Sequence, residues 1–249
     1  MRTNFETSLG YVLGHEGGFS NHWNDAGGAT NHGIIQRVYD SYRRRRKLVP
    51  RSVKSITKGE LFEIYKEQYW DQVRGDDLPP GIDYCVFDAA VNSGPRRGIR
   101  WLQNGINKVA KLNRVKVDET IGNATLDAAD DYDLEKLVDA MLDYRLGFMK
   151  IARNTNTGAL LWPSFGRGWT NRLYGFLPRG AKEALRQANG VDDHAKKMIR
   201  EAGVSAQPQK YPLPEVPSVE KRPVAEVPGW LLALLAALAM AFGVYQWQL

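Results

Sequence analysis

Apolar positions recur at helical spacing through most of the first 175 residues, and no run of strand-like alternation interrupts them. Phe5, Leu9, Val12 and Leu13 form one stripe that predicts a helix over residues 3–16, with Thr3 and Glu6 placed as a capping box. Glu16 continues the stripe, four residues after Val12 and three after Leu13, so a carboxylate stands at the C-terminal end of a core-facing helix; Gly17 and Gly18 then end it. Further helices are predicted over 34–47, 57–73, 82–92, 97–108 and 134–150. The second of these opens on another capping box, Thr57 with Glu60, and carries Leu61, Ile64, Tyr65, Gln68, Tyr69 and Trp70 on one face. Residues 82–92 are apolar almost all round, the mark of a central buried helix. Asp88 within them requires partners, an arginine or backbone amides. The 134–150 stripe runs through Leu134, Leu137, Val138, Met141, Leu142, Arg145 and Met149. Residues 109–133 read as polar and turn-rich, and 162–172 as a loop entering another helix. The pattern predicts a mainly α chain.

From about residue 190 the pattern changes. Six of the twelve prolines fall between 208 and 228, which reads as an extended, solvated linker. No charge occurs from Val227 to the end, and residues 229–249 are long and apolar enough for one transmembrane helix, with Trp230 at one end and Tyr245 and Trp247 at the other as an interfacial belt. The N-terminus has no apolar run of the kind a cleavable secretory signal needs.

Between the first two predicted helices lies a polar stretch, Gly14 to Ile34, with six glycines, the carboxylates Glu16 and Asp25, the hydroxyl of Thr30, and three of the four histidines. So much glycine builds sharp backbone turns, not core. Glycoside hydrolysis needs a proton donor at the leaving oxygen, and inverting enzymes add a group that orients water on the opposite face. A donor is kept protonated near neutral pH by apolar surroundings. Glu16, on an apolar helix face, fits the acid; Asp25, in the polar loop, fits the water-orienting base, with Thr30 bonding the same water. Asp25 also fits an Asx turn, and Thr30 a helix N-cap.

Charge and cysteine count narrow the setting. A net charge of +6 and a pI of about 9.3 point to polyanionic partners, and the run Arg43 to Lys47 is either a solvated face or a contact to one. Cys85 is the only cysteine, so no intrachain disulfide forms.

Several blocks, in order, resemble glycoside hydrolase family 108, the N-acetylmuramidases of phages and bacteria: EGGF followed by DAGGATNHGI, then YKEQYWDQV, VFDAAVNSGP, WLQNGIN and GWTNR. The resemblance covers roughly residues 5–175. It implies a lysozyme-like catalytic domain over 1–95 and a helical region over 96–190, similar to a peptidoglycan-binding domain and packed on the first; a Pro-rich linker, 191–228, and the anchor, 229–249, complete the chain. VDETIGNAT is similar to a DG-x-x-G-P-x-T repeat but lacks its first Gly and its Pro. The Glu of the EGG motif is taken as catalytic in the family, which carries over to Glu16; Asp25 and Thr30 follow in the order of phage-type lysozymes, with Asp25 to Thr30 one residue shorter. Tyr69, Trp70, Asn92, Trp169 and Arg172 in these blocks are the expected substrate contacts, the last two read first as braces of their loop.

The implied activity is hydrolysis of the bond from N-acetylmuramic acid to N-acetylglucosamine in peptidoglycan, with no cofactor and no metal. A lytic transglycosylase, which also uses one Glu, is the alternative within the same substrate class. A zinc amidase built on His15, His22 and His32 matches no usual zinc spacing. A membrane-tethered wall adaptor without enzymatic activity is the other alternative, and no motif supports a nucleic-acid partner. Lys221 and Arg222 precede the anchor and nothing charged follows it, which places the domain on the cytoplasmic side of a host inner membrane, or inside a virion that has a membrane. The expected partners are peptidoglycan strands, a lipid bilayer at residues 229–249, and a holin or virion proteins.

Overall fold

Phe5 begins the first helix and is fully buried, its ring 4.8 Å from Phe62, 5.3 Å from Trp70 and 5.7 Å from Phe87. Two of these pairs are edge-on, a favoured arrangement of aromatic quadrupoles. The computed structural model describes residues 4–15, 29–175 and 190–204, all within one compact unit spanning residues 1–212. The first helix, α1, runs Phe5–His15 with Phe5, Leu9 and Val12 buried, as its stripe requires. Thr3 and the glycines after Glu16 lie outside the described residues.

The helix expected from residue 34 starts later. His32 and Gly33 both have positive φ, 49° and 76°, and form the two-residue loop of a hairpin in which β1 (Thr30–Asn31) pairs with β2 (Ile34–Ile35). Ile34 and Ile35, read as the start of a helical stripe, are a strand instead; α2 follows over Gln36–Arg45 and buries Tyr39 and Tyr42. Its cap position is Ile35, so Thr30 is not its N-cap. The basic run is divided: Arg43 is buried against Glu60, and Arg46 pairs with Glu63 and Glu67, while Arg44, Arg45 and Lys47 are exposed.

The Thr57–Glu60 capping box opens α3 (Lys58–Tyr65) with both of its hydrogen bonds formed. The chain does not remain α-helical to residue 73: a π turn, Lys66–Trp70, and a 3₁₀ turn, Asp71–Val73, change the helical phase and deliver Trp70 to the core.

The centre is α4 (Ile82–Ser93), buried throughout Ile82–Ala90. Gly81, before it, has φ 84°, and a Cβ there would collide with the Ala195 carbonyl oxygen. Next come α5 (Pro95–Ala110), α6 (Asn123–Asp130) in the stretch read as turns, and α7 (Leu134–Ile151), whose predicted stripe is buried at all seven positions. Residues 162–172 are not a loop: α8 covers Trp162–Tyr174, with Pro163 in the first turn where its missing N–H is tolerated. A last helix, α9 (Val191–Glu201), occupies residues assigned by composition to the linker. It packs on α4, α7 and α8 through Val191, Ala195, Met198 and Ile199.

Among the described residues no helix is long and apolar enough to cross a membrane, and the expected span, 229–249, lies outside them. Because α9 is core, Ile199→Ala is expected to cost about 2–5 kcal/mol in urea unfolding. A residue of a solvated linker would change stability by less than about 0.5 kcal/mol.

Candidate active site

The stretch with the proposed chemistry is bracketed by two anchored elements. Upstream, α1 is tied to α4 just before its first residue and again in its second half. Asn4 donates to Asp83 Oδ2 at 2.8 Å, and the Tyr11 ring meets Tyr84 edge-on at 5.4 Å and stacks on His194 of α9 at 3.8 Å. Asp83 also accepts from the Gly81 and Tyr84 N–H groups at 2.7 and 2.6 Å, yet burial pushes its carboxyl up to about 6. Downstream, the hairpin is clamped from three sides. The Tyr65 hydroxyl donates to the His32 carbonyl at 2.8 Å, Asn31 Nδ2 donates to the Val53 and Lys54 carbonyls at 3.2 Å, and Gln36 bonds the Arg51 carbonyl and the Val53 N–H. Glu16 follows directly on the last residue of α1, and Thr30 is the first residue of β1.

Glu16, Asp25 and His22 lie outside the described residues, as does the side chain of His15. Thr30 is half-buried and paired with Ile35. Tyr69 is half-buried, its ring 5.5 Å from Tyr65. Trp70 is fully buried and its indole N–H donates to Asp76 at 2.9 Å, so it presents no surface to a glycan. Asn92 is exposed at the end of α4, where its Oδ1 accepts from the Ser93 hydroxyl. Trp169 is half-buried on α8, stacked on Phe165. His32 is exposed in the hairpin turn. Among the described residues no group of three or more His, Cys, Asp or Glu is arranged to hold a metal.

Arg172 is a brace. It donates from NH2 and Nε to Asp88 Oδ1, at 2.8 and 3.1 Å, while Arg145 NH1 donates to Asp88 Oδ2 at 2.6 Å. Asp88 and Arg145 are buried, and Arg172 is nearly so, at 12% exposed. Desolvation opposes ionisation of Asp88, but the two guanidiniums outweigh it and hold the carboxyl far below the usual range. The rest of the Arg145 guanidinium lies 5.9 Å from the Trp101 ring centroid. This triad joins α4, α7 and α8 one turn along α4 from Tyr84, the residue that meets Tyr11 of α1. The sequence marked Asp88 and Arg145 as polar groups on apolar stripes; Tyr11, Tyr84 and His194 gave no such signal, being ordinary aromatic positions.

The sequence profile of the family described as glycosyl hydrolase 108 matches residues 9–94, an interval running from the middle of α1 to the end of α4. No curated protein sequence matches the chain. Among solved structures the chain is similar to that described as the structure of Brucella abortus SagA, with 30% identity, a TM-score of 0.58, and coverage of 82% of this chain and 99% of that one. The triad generates its own test. Asp88→Asn leaves two buried arginines without a counter-charge, and the expected loss is about 3–5 kcal/mol in denaturant unfolding at neutral pH.

Proposed function

Because the chain belongs to the glycosyl hydrolase 108 family, we propose that it is a lysozyme-type N-acetylmuramidase. It cleaves the bond from N-acetylmuramic acid to N-acetylglucosamine in peptidoglycan. The observation that carries this reading is the interval of the family match, 9–94, which includes Glu16, Asp25 and Thr30 together with the later part of α1 and the whole hairpin that bracket them.

Protonated Glu16 gives its proton to the glycosidic oxygen as the C1–O bond breaks. A water oriented by Asp25 and Thr30 adds to C1 from the opposite face and loses a proton to Asp25, leaving a free reducing end with inverted configuration. Tyr69, Asn92 and Trp169, each with exposed surface, serve as glycan contacts, while Arg172 and Trp70 act from behind the surface through Asp88 and Asp76. The charge-free segment 229–249 anchors the enzyme in a bilayer, and the Pro-rich stretch before it is a tether. The domain waits behind the membrane for a holin-like breach, in phage lysis, or rides in a virion during genome delivery.

Glu16→Gln is expected to lower clearing of a peptidoglycan suspension by at least about 100-fold, with the far-UV circular dichroism and melting temperature of the parent chain. Retained clearing overturns the assignment of the acid.

A further inference from the structure

The first turn of α5 is charged against its own helix. A helix N-terminus is partially positive and favours acidic side chains. Here the first turn has none, the cap Gly94 (φ 90°) supplies no side-chain bond, and Arg96 and Arg97 stand there, with Arg100 one turn on. One carboxylate comes to meet them. Glu119, itself at φ 64°, accepts from Arg96 Nε at 2.5 Å and from Arg100 NH2. Arg96 and Arg100 are still 82% and 55% exposed, so their outer faces remain open. Arg97 is exposed but held: its guanidinium lies 4.8 Å from the Phe148 ring centroid and donates to the Ser93 carbonyl at 3.3 Å.

These side chains line a cleft of about 450 Å³ that meets a second cleft, of about 540 Å³, at the shared Pro95. The second is lined by Gln68, Gln72, Glu67 and Arg45. Glu67 is committed to Arg46, whereas Arg45 is exposed with no ion-pair partner among the described residues. The result is a groove of guanidiniums and side-chain amides starting one residue after Asn92. Departures from local charge preference that a fold does not need mark sites of function. The Glu119 bridge shows which group this arrangement accepts, since two of its arginines already share a carboxylate.

We propose that this groove binds the carboxylates of the peptide stems on peptidoglycan, an inference that rests on the function proposed above. N-acetylated sugar rings are uncharged and give an arginine cluster little to grip. A stem carboxylate matches the planar guanidinium fork and completes the positive end of α5. The groove therefore selects strands whose stems carry free carboxylates over strands whose carboxyls are capped.

The test uses the full chain and its Arg45→Glu/Arg97→Glu variant on two substrates: intact peptidoglycan, and the same material with its free carboxylates capped as methylamides. The expected result is a KM about tenfold higher for the variant on intact peptidoglycan, with unchanged kcat, and no change on the capped strands. Arg45→Lys/Arg97→Lys should restore at least half of the lost affinity. Equal effects on both substrates, or on neither, overturn the proposal. So does a variant that loses binding to phosphatidylglycerol vesicles while keeping its KM on intact peptidoglycan, which assigns the groove to phosphate. If the parent chain cleaves neither substrate, the glycosidase reading fails by itself. Co-sedimentation with intact and capped sacculi then decides the groove: preference for intact sacculi that the variant lacks supports it, and no preference overturns it.

Discussion

A buried carboxylate shared by two arginines holds this structure together. Asp88 sits in the middle of the most buried helix and is fully desolvated, a cost of several kcal/mol that only close opposite charges offset. Arg145 comes from α7 and Arg172 from α8, 57 and 84 residues away. The triad thus fixes three helices at one point, and a hydrophobic substitute would fill the volume without fixing that geometry. One turn earlier on the same helix, α4 receives α1 through the Tyr11–Tyr84 contact, beside the Phe5 ring cluster at Phe87. The helix that ends one residue before Glu16 is therefore supported by a core whose own alignment is set by Asp88.

The same support explains why the stretch proposed to be catalytic can be rich in glycine. Its ends are fixed independently, by α4 and α9 on one side and by the Tyr65, Asn31 and Gln36 bonds of the hairpin on the other. Loops carry chemistry best when a rigid scaffold fixes their ends. α9 belongs to that scaffold: its His194 stacks on Tyr11, and its Ala195 backbone approaches Gly81 too closely for any side chain.

How much of this was legible depended on the range of the interaction involved. The α1 stripe, the Thr57–Glu60 box, the all-apolar α4 and the seven-residue stripe of α7 are local signals, and each appears where its period placed it. Polar residues on apolar stripes were informative too. Arg145 marks the triad, and Asp88 was readable as needing an arginine, though not which one, because its partners lie far along the chain. The misreadings have local causes. A run of apolar residues does not distinguish β2 from the first turn of α2, and the deciding feature was the positive φ of His32 and Gly33. The glycines and Pro163 disguised α8, and the adjoining prolines diluted the short apolar stripe of α9. Trp70 fell on the expected face, but the π turn and Asp76 carry it inward.

The central claim is that water is added across a glycosidic bond, and oxygen labelling addresses it most directly. Peptidoglycan digested by the full chain in H₂¹⁸O and analysed by mass spectrometry should yield muropeptides with one ¹⁸O at a free reducing-end N-acetylmuramic acid. An unlabelled anhydro-sugar, or label found only in a carboxyl group released from an amide, would contradict the account.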